Sequence, residues 1–196
     1  MTARKSEVER STSETQIRLS LDLDGIGEAK INTGIGFFDH MLNALARHGL
    51  LDLIIEANGD LEVDPHHTVE DVGIVLGKAI DKALGDKAGL VRYGWAAVAM
   101  DEALVLTSID ISGRGMLYYD VDIPQEKIGT LDTVLLPEFF ESVARNAGLT
   151  LHIRKLAGVD PHHTAEGVFK SFAKALDAAT RISNRVQGVP STKGIL

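Results

Sequence analysis

The stretch DPHHTVEDVGIVLGKAIDKA occupies residues 64–83, and DPHHTAEGVFKSFAKALDAA occupies residues 160–179. Eleven of the 20 aligned positions are identical. The likeness extends upstream, where FFDHMLNALARHGLLDLII (37–55) resembles FFESVARNAGLTLHI (139–153) once a few residues are deleted. Repetition on this scale indicates that one supersecondary unit is used twice. We therefore divide the chain into a first half at 1–92 and a second half at 93–196, which ends in a basic tail, and we expect one compact pair of domains.

Hydrophobic periodicity predicts the same order of elements in both halves. TQIRLSLDL (15–23) alternates apolar and polar residues like a strand, and Asp24-Gly25 predicts a hairpin to EAKINTG. Helical spacing begins at Phe38, and Gly49 is the predicted left-handed cap. Further helices are predicted near 65–84, 138–147 and 161–183, with strands near 50–57, 95–100, 103–111, 116–123 and 149–156. We expect an α+β fold in which each half is a mixed β-sheet with helices packed on one face.

Composition and charge narrow the classes of function. The hydrophobic fraction is 44% and the charged fraction 24%, as in ordinary globular proteins. Cysteine is absent, so nitrogen and oxygen must hold any metal, and the composition fits a reducing compartment. The net charge of −8 argues against nucleic acid as a partner. No long apolar run or signal sequence is visible, so we expect a cytoplasmic protein with no membrane partner.

The repeated phrase predicts imidazole and carboxylate side chains on the first turns of two helices. In each copy an Asp stands at the cap and a Pro at the first helical position. Glu70 then lies one turn from His66 and His67, and Glu166 has the same relation to His162 and His163. Adjacent histidines point about 100° apart, which suits two cations better than one. The helix dipole predicts neutral rings, ready to bind metal.

Two further histidines enlarge the candidate ligand set. His40 begins the FFDH helix, and the His152 side chain in LTLHI points away from the face of its apolar neighbours. Nitrogen and carboxylate donors suit Mn²⁺, Fe²⁺ or Zn²⁺ rather than Ca²⁺ or Mg²⁺. The full candidate set is His40, His66, His67, Glu70, His152, His162, His163 and Glu166.

These residues also have structural interpretations. A histidine pair at a helix start can be a cap or a polar surface feature, and His40 and His152 can be hydrogen-bonded structural residues. Glu70 and Glu166 can be first-turn charges that complement the helix dipole. Duplication of the whole phrase, with Glu in register, favours metal binding over these alternatives.

Together with GFFDHMLNALARHG, DISGRG, LTLHI, HHTAEGVFKSFAKAL and STKG, the repeated phrase resembles the imidazoleglycerol-phosphate dehydratase family, from about residue 8 to 194. The resemblance implies dehydration of D-erythro-imidazole glycerol phosphate to imidazole acetol phosphate, the sixth step of histidine biosynthesis. It implies two Mn²⁺ per active site, held by the eight candidate ligands. It also implies a homo-oligomer of twenty-four subunits, with active sites where subunits meet.

The resemblance further assigns residues to the substrate. The anion-binding set is Arg92, Arg114, Lys170, Ser191 and Lys193, while Glu14, His40 and His48 complete the expected substrate-binding residues. From the residues alone, Arg92 and Arg114 are solvated turn residues and the STKG tail is a frayed terminus. Arginine offers paired hydrogen bonds to a phosphate, and lysine offers a point charge.

The implied reaction needs a proton carrier that is not permanently bound to metal. The departing hydroxyl is on the carbon attached to imidazole, and the proton is lost from the next carbon, which no carbonyl acidifies. An imidazolate stabilised by two metals can expel hydroxide and leave a diazafulvene-like intermediate. Glu14 and His48 are the uncommitted candidates for proton transfer, with Glu14 preferred, and Glu70 and Glu166 complete the catalytic set.

Two other functions compete with dehydration. A two-metal phosphate-ester hydrolase would use a bridging hydroxide, and it predicts several Asp ligands. A metal store or structural metal module would close its metal shell with protein ligands and would need no phosphate pocket. The histidine-rich set favours binding of an azole.

Overall fold

The computed structural model describes residues 4–196. Its strands are β1 (Lys5–Ser11), β2 (Thr15–Asp22), β3 (Ala29–Asn32), β4 (Asp52–Gly59), β5 (Tyr93–Met100), β6 (Ala103–Ile111), β7 (Met116–Asp120), β8 (Lys127–Ile128), β9 (Leu131–Asp132) and β10 (Leu149–Ala157). Its helices are α1 (Gly36–Gly49), α2 (His66–Leu84), α3 (Leu135–Ala147) and α4 (Pro161–Thr180). No helix among the described residues is long and apolar enough to cross a membrane.

The two large sheets have the same topology. The first has the order β1-β2-β4-β3 and the second β5-β6-β10-β7. In both, three strands are antiparallel, while the edge strand β3 or β7 runs parallel to its neighbour. The α+β fold with two similar halves, each a mixed sheet with helices on one face, is confirmed.

The helices lie between the two sheets and join the halves. Helix α2 packs on β1 and β2, and α4 packs on β5 and β6. Across the middle, α2 contacts α3 and α1 contacts α4. Five fully buried phenylalanines fill this central layer: Phe38, Phe139, Phe140, Phe169 and Phe172. Each sheet therefore buries one face against helices and turns the other outward.

The predicted hairpin from β2 to β3 is wrong. Strand β3 pairs in parallel with β4, on the far side of β4 from β2. The Asp52 carboxylate explains this path, because its Oδ1 accepts the backbone N–H groups of Ile26, Gly27 and Glu28 at 2.8, 3.1 and 3.0 Å. These bonds hold the segment between β2 and β3 against the start of β4. Strand β3 therefore pairs with the edge of β4 that faces away from β2.

Helix ends differ slightly from the predicted ones. Leu50, not Gly49, takes the left-handed conformation after α1, with φ 55°. Asp160 caps α4 as predicted, accepting the His163 N–H at 3.0 Å, and Pro161 is its first residue. In α2 the helix begins one residue later, at His66, whose N–H donates to Asp64 at 2.7 Å.

Candidate active site

One cluster of metal-type donors joins the two halves. His40 comes from the first turns of α1, and His162 and Glu166 from the first two turns of α4, which packs against α1. The Glu166 Oε2 atom lies 3.6 Å from His40 Nε2 and 3.3 Å from His162 Nε2. One ligand atom of each residue lies within 4.8 Å of the others. Such a set can hold a divalent cation with positions left open.

Lys170 orients the Glu166 carboxylate. Its Nζ lies 2.5 Å from Glu166 Oε1, one helical turn away, so the other oxygen faces the two histidines. Burial of Glu166 raises its pKa, but the hydrogen bond and charge of Lys170, with His40 and His162 nearby, outweigh burial and lower the pKa overall. Glu166 is thus an anion at neutral pH.

The second histidine of the α4 motif faces a different carboxylate. His163 Nδ1 lies 2.7 Å from Glu102 Oε2, in the turn before β6, and its Nε2 lies 3.5 Å from Asp101 Oδ2. The hydrogen bond to Glu102 raises the pKa of His163, and that bond with further backbone N–H donors lowers the pKa of Glu102 to about 2. Glu166 therefore contacts the first histidine of its motif rather than both.

The α2 motif makes the corresponding contacts in the first half. His66 Nε2 lies 3.9 Å from Glu70 Oε2. His67 Nδ1 lies 3.0 Å from Asp60 Oδ2 and 3.9 Å from Glu14 Oε2. The Asp60 hydrogen bond, with the nearby charge of Glu14, raises the pKa of His67. The close carboxylates raise the pKa values of His67 and His163 and so oppose the effect expected of the helix dipole on these two rings.

The two motifs do not form one ligand cluster within a single chain. Among residues 4–196, the His40, His162 and Glu166 group is the one set of three or more such donors whose ligand atoms come within 4.8 Å of one another. The position that matches His40 in the second half is Ser142, which is buried and packs against Gly73 of α2. His40 lies beside the α4 motif, whereas the α2 motif has no equivalent histidine beside it.

His152 lies on the outer face of the second sheet. It belongs to a row of exposed residues, one on each strand, in the order Trp95, Ser108, His152 and Tyr118. The His152 ring stacks on Tyr118 with centroids 4.3 Å apart. Helix α4 packs on the other face of this sheet, so within the chain His152 does not join the cluster around His162.

A cleft of about 610 Å³ brings together four of the five predicted anion-binding residues. Arg92, Arg114, Ser191 and Lys193 line it, together with Tyr93, Ser112 and the end of the chain. The Arg114 side chain is exposed, and its Nη2 lies 3.8 Å from Asp110 Oδ2. Lys170, the fifth residue, does not line this cleft, and its ammonium instead contacts Glu166.

Arg92 connects strand β6 to the C-terminal tail at the cleft. It donates to both oxygens of Asp110, at 2.7 and 3.2 Å, and to the carbonyl of Pro190 at 2.7 Å. This Pro190 bond fixes the tail segment that carries Ser191 and Lys193. The two remaining N–H groups of the Arg92 guanidinium can still point to an anion.

His48 lies half-buried in the last turn of α1, near α4. Burial lowers its pKa, and the positive charges of Lys170, Lys174 and Arg47 lower it further, against a smaller opposing effect of Glu166. A neutral His48 can accept a proton at pH 7.

Comparison with known proteins identifies the family of the chain. The sequence profile described as imidazoleglycerol-phosphate dehydratase matches residues 33–176. The chain belongs to the imidazoleglycerol-phosphate dehydratase family. A relative of that name from Acetivibrio thermocellus is 57% identical over 193 residues, covering 98% of this chain and 99% of the relative. One from Geobacter sulfurreducens is 54% identical, covering 99% of this chain and all of the relative.

Solved structures of the family share the fold. The imidazoleglycerol-phosphate dehydratase of Staphylococcus aureus superposes with a TM-score of 0.83 at 40% identity, over 91% of this chain and 99% of that one. The Pyrococcus furiosus structure superposes with a TM-score of 0.84 at 39% identity, over 96% and 100%. Membership supports imidazoleglycerol-phosphate dehydratase activity, in histidine biosynthesis, for this chain.

Several residues of the site escaped prediction from the sequence. Asp60 and Glu102 contact the second histidine of each motif, and Asp110 holds Arg92. One signal in the sequence pointed to Glu102: it directly precedes β6, as Glu14 directly precedes β2. For Asp60 and Asp110 we find no comparable signal.

Proposed function

We propose that this chain catalyses the sixth step of histidine biosynthesis at a site that holds two divalent cations, Mn²⁺ in the first place, with Fe²⁺ or Zn²⁺ as alternatives. The cluster of His40, His162 and Glu166 is the main support for the metal. Its donors are of the types that these cations prefer, and Lys170 leaves one Glu166 oxygen directed at both histidines. Three donors leave room for substrate.

The remaining candidate ligands suggest that the site is completed by another copy of the chain. His66 and Glu70 lie together, but Ser142 stands where the repeat would supply a third ligand like His40. His152 is exposed on the outer face of its sheet and can reach a neighbouring molecule. We therefore propose a homo-oligomer whose active sites combine His66, His67, Glu70 and His152 with the α4 cluster across subunits. The number of subunits in this proposal, twenty-four, is the one that the family resemblance implies.

The chain's own residues would bind the substrate and move its protons. Arg114, Lys193 and Ser191 would bind the phosphate, while Arg92 holds the tail in place. Bound cations would stabilise negative charge on the imidazole ring. The ring would give up its N–H proton, its electron pair would expel hydroxide from the adjacent carbon to leave a diazafulvene-like ring, and that proton and hydroxide would together make the departing water. Glu14, half-exposed and 3.9 Å from His67, would take the proton from the next carbon, and the resulting enol becomes the ketone by gaining a proton beside the ring.

Incubation of the purified protein with imidazole glycerol phosphate, after chelation and after return of Mn²⁺, tests the proposal. We expect formation of imidazole acetol phosphate only with the cation, without release of inorganic phosphate. Release of phosphate would favour a two-metal hydrolase, and stoichiometric Mn²⁺ binding without turnover would favour a metal store. The cysteine-free composition fits a cytoplasmic reaction, which cell fractionation would check.

The His162→Gln variant tests the metal cluster directly. We expect it to lose one bound Mn²⁺ per subunit, measured by elemental analysis, together with most turnover. Glu62→Gln removes a carboxylate from the exposed turn after β4 and serves as the matched control. Full Mn²⁺ content in His162→Gln would contradict the proposed ligand set.

A further inference from the structure

Each second histidine of the repeated motifs has a carboxylate on its Nδ1. His67 Nδ1 lies 3.0 and 3.2 Å from the two oxygens of Asp60, and His163 Nδ1 lies 2.7 Å from Glu102. An ionised carboxylate only accepts hydrogen bonds, so the ring nitrogen must donate. Both rings therefore carry a proton on Nδ1.

The two carboxylates come from positions that the repeat does not relate. Asp60 follows Gly59 at the end of β4, and the matching position after Gly158 is Val159, which is exposed and has no acceptor. Both glycines border the motif threonine: a Cβ at Gly59 would lie 2.0 Å from Thr68 Oγ1, and one at Gly158 would lie 3.1 Å from the corresponding threonine. The first half therefore has a carboxylate at Asp60, whereas the matching position of the second half has the apolar Val159.

Glu102 instead stands at the position in the second half that Glu14 has in the first half. Each is the last residue of the turn before the second strand of its sheet, β2 or β6. In the first half Asp60 already binds the Nδ1 of His67, and Glu14 stays 3.9 Å away with half of its side chain exposed. In the second half, where no Asp60 exists, Glu102 makes the bond itself. The same hydrogen bond is built twice from different residues, which argues that the bond itself is needed.

We propose that Asp60 and Glu102 are positioning residues, which fix the Nδ1–H tautomer of His67 and His163 so that each Nε2 keeps a lone pair for a cation. Metal-binding histidines commonly donate their other ring nitrogen to such an acceptor, and losing it weakens metal binding about 10- to 100-fold. This inference rests on the proposed role of His67 and His163 as ligands. It also explains why Glu14, and not Glu102, is left free for proton transfer.

The test uses Asp60→Asn and Glu102→Gln in the full-length protein, with Glu62→Gln as control. An amide can either accept or donate, so it no longer dictates the tautomer. We would label histidine with ¹⁵N, remove metal, and record magic-angle-spinning NMR spectra at pH 8.5, assigning signals with His67→Gln and His163→Gln. We expect Nδ1–H signals for both rings in the unchanged chain and the control. Glu102→Gln should shift His163 alone toward Nε2–H, and Asp60→Asn should shift His67 alone.

Mn²⁺ binding, measured by calorimetry on the same proteins, completes the test. We expect affinity to fall about 10- to 100-fold in each variant, and to recover partly in Asp60→Glu and Glu102→Asp, which restore a carboxylate. Unchanged tautomers, or changed tautomers with unchanged Mn²⁺ affinity, would overturn the positioning role while the proposed function stands. Failure of the unchanged chain to bind Mn²⁺ would instead overturn the proposed function, and this inference with it.

Discussion

Glu14 is the residue on which the proton-transfer proposal depends. Its carboxylate lies beside the α2 motif but beyond hydrogen-bond distance of His67, so it is not committed to holding that ring. We expect Glu14→Gln to lower turnover roughly 100- to 10,000-fold, because an amide cannot take up the proton. Circular dichroism and Mn²⁺ content should stay unchanged, as they should in Glu62→Gln. Wild-type turnover in Glu14→Gln would exclude this residue as the proton carrier.

Protonation of the histidines should oppose metal binding as the pH falls. The pKa values of His67 and His163 are raised by Asp60 and Glu102, so these rings begin to protonate above the ordinary value of 6.5. We expect Mn²⁺ affinity, followed by equilibrium dialysis from pH 8.5 downward, to weaken already above pH 6.5 and to be lost by about pH 4. Retention of both ions at about pH 4 would contradict the ligand set.

The shifted pKa values of His163 and Glu102 stabilise the metal-free fold in a defined pH range. A raised histidine pKa contributes stability below pH 6.5 that is lost as pH rises through the folded value. The lowered pKa of Glu102 contributes stability above pH 4.5 that is lost as pH falls toward about 2. The pair therefore stabilises the metal-free protein most between about pH 4.5 and 6.5. Both side chains are partly exposed and screened by solvent, so the effect should be small.

The sequence predicts those parts of the site that are local in the chain. His66 and Glu70, or His162 and Glu166, meet because four residues make about one helical turn, which the spacing alone reveals. Asp60, Glu102 and Asp110 escaped because they meet their partners through loop placement and strand pairing. Glu102 and His163 are 61 positions apart, and no periodicity connects them.

Elements with a strong apolar period were predictable, and weakly apolar ones were not. The four helices and strands such as β6 and β10 alternate or repeat buried residues clearly. Strand β1 was missed because KSEVERS has Val8 as its one apolar residue and pairs at a sheet edge. The short β8 and β9 were missed because two residues carry no period. Strand β3 was misplaced because turn residues alone do not say which neighbour a strand joins.

The contact between β5 and α4 gives a prediction for element packing. A Cβ at Gly94 would lie 2.0 Å from the Ala175 carbonyl oxygen and 2.7 Å from the Ala179 nitrogen, both backbone atoms that cannot move aside. We expect Gly94→Ala to lower the free energy of unfolding by about 1–3 kcal/mol through overpacking. Gly36→Ala is the matched control, since a Cβ there meets nothing within 4 Å. Urea unfolding of the metal-free proteins measures both, and equal midpoints would contradict the packing argument.

At the scale of the whole molecule, the two outer sheet faces differ. The second sheet presents Trp95, 71% exposed, and Tyr118, 50% exposed, in the row that holds His152. On the first sheet, Ile54 is flanked by Ser20 and Lys30 on the neighbouring strands. We expect Trp95→Glu to reduce the solution mass measured by light scattering, and Ile54→Glu to leave the mass unchanged, because the aromatic face is the better surface for a second copy. An unchanged mass in Trp95→Glu would place the contact elsewhere.

Cations that join ligands from different subunits should also stabilise the assembly. A ligand that binds only the associated state adds its binding free energy to association, so chelation should shift the protein toward smaller species and lower its melting temperature. His152→Ala should show the same smaller mass even with Mn²⁺ present, because its ring would be the ligand contributed from the outer sheet face. Its Tyr118 neighbour offers a control, since Tyr118→Phe keeps the stacked ring and should assemble normally with Mn²⁺. If the chelated protein kept both its mass and its melting temperature, cations would not bridge subunits, and His40, His162 and Glu166 would have to bind metal within one chain.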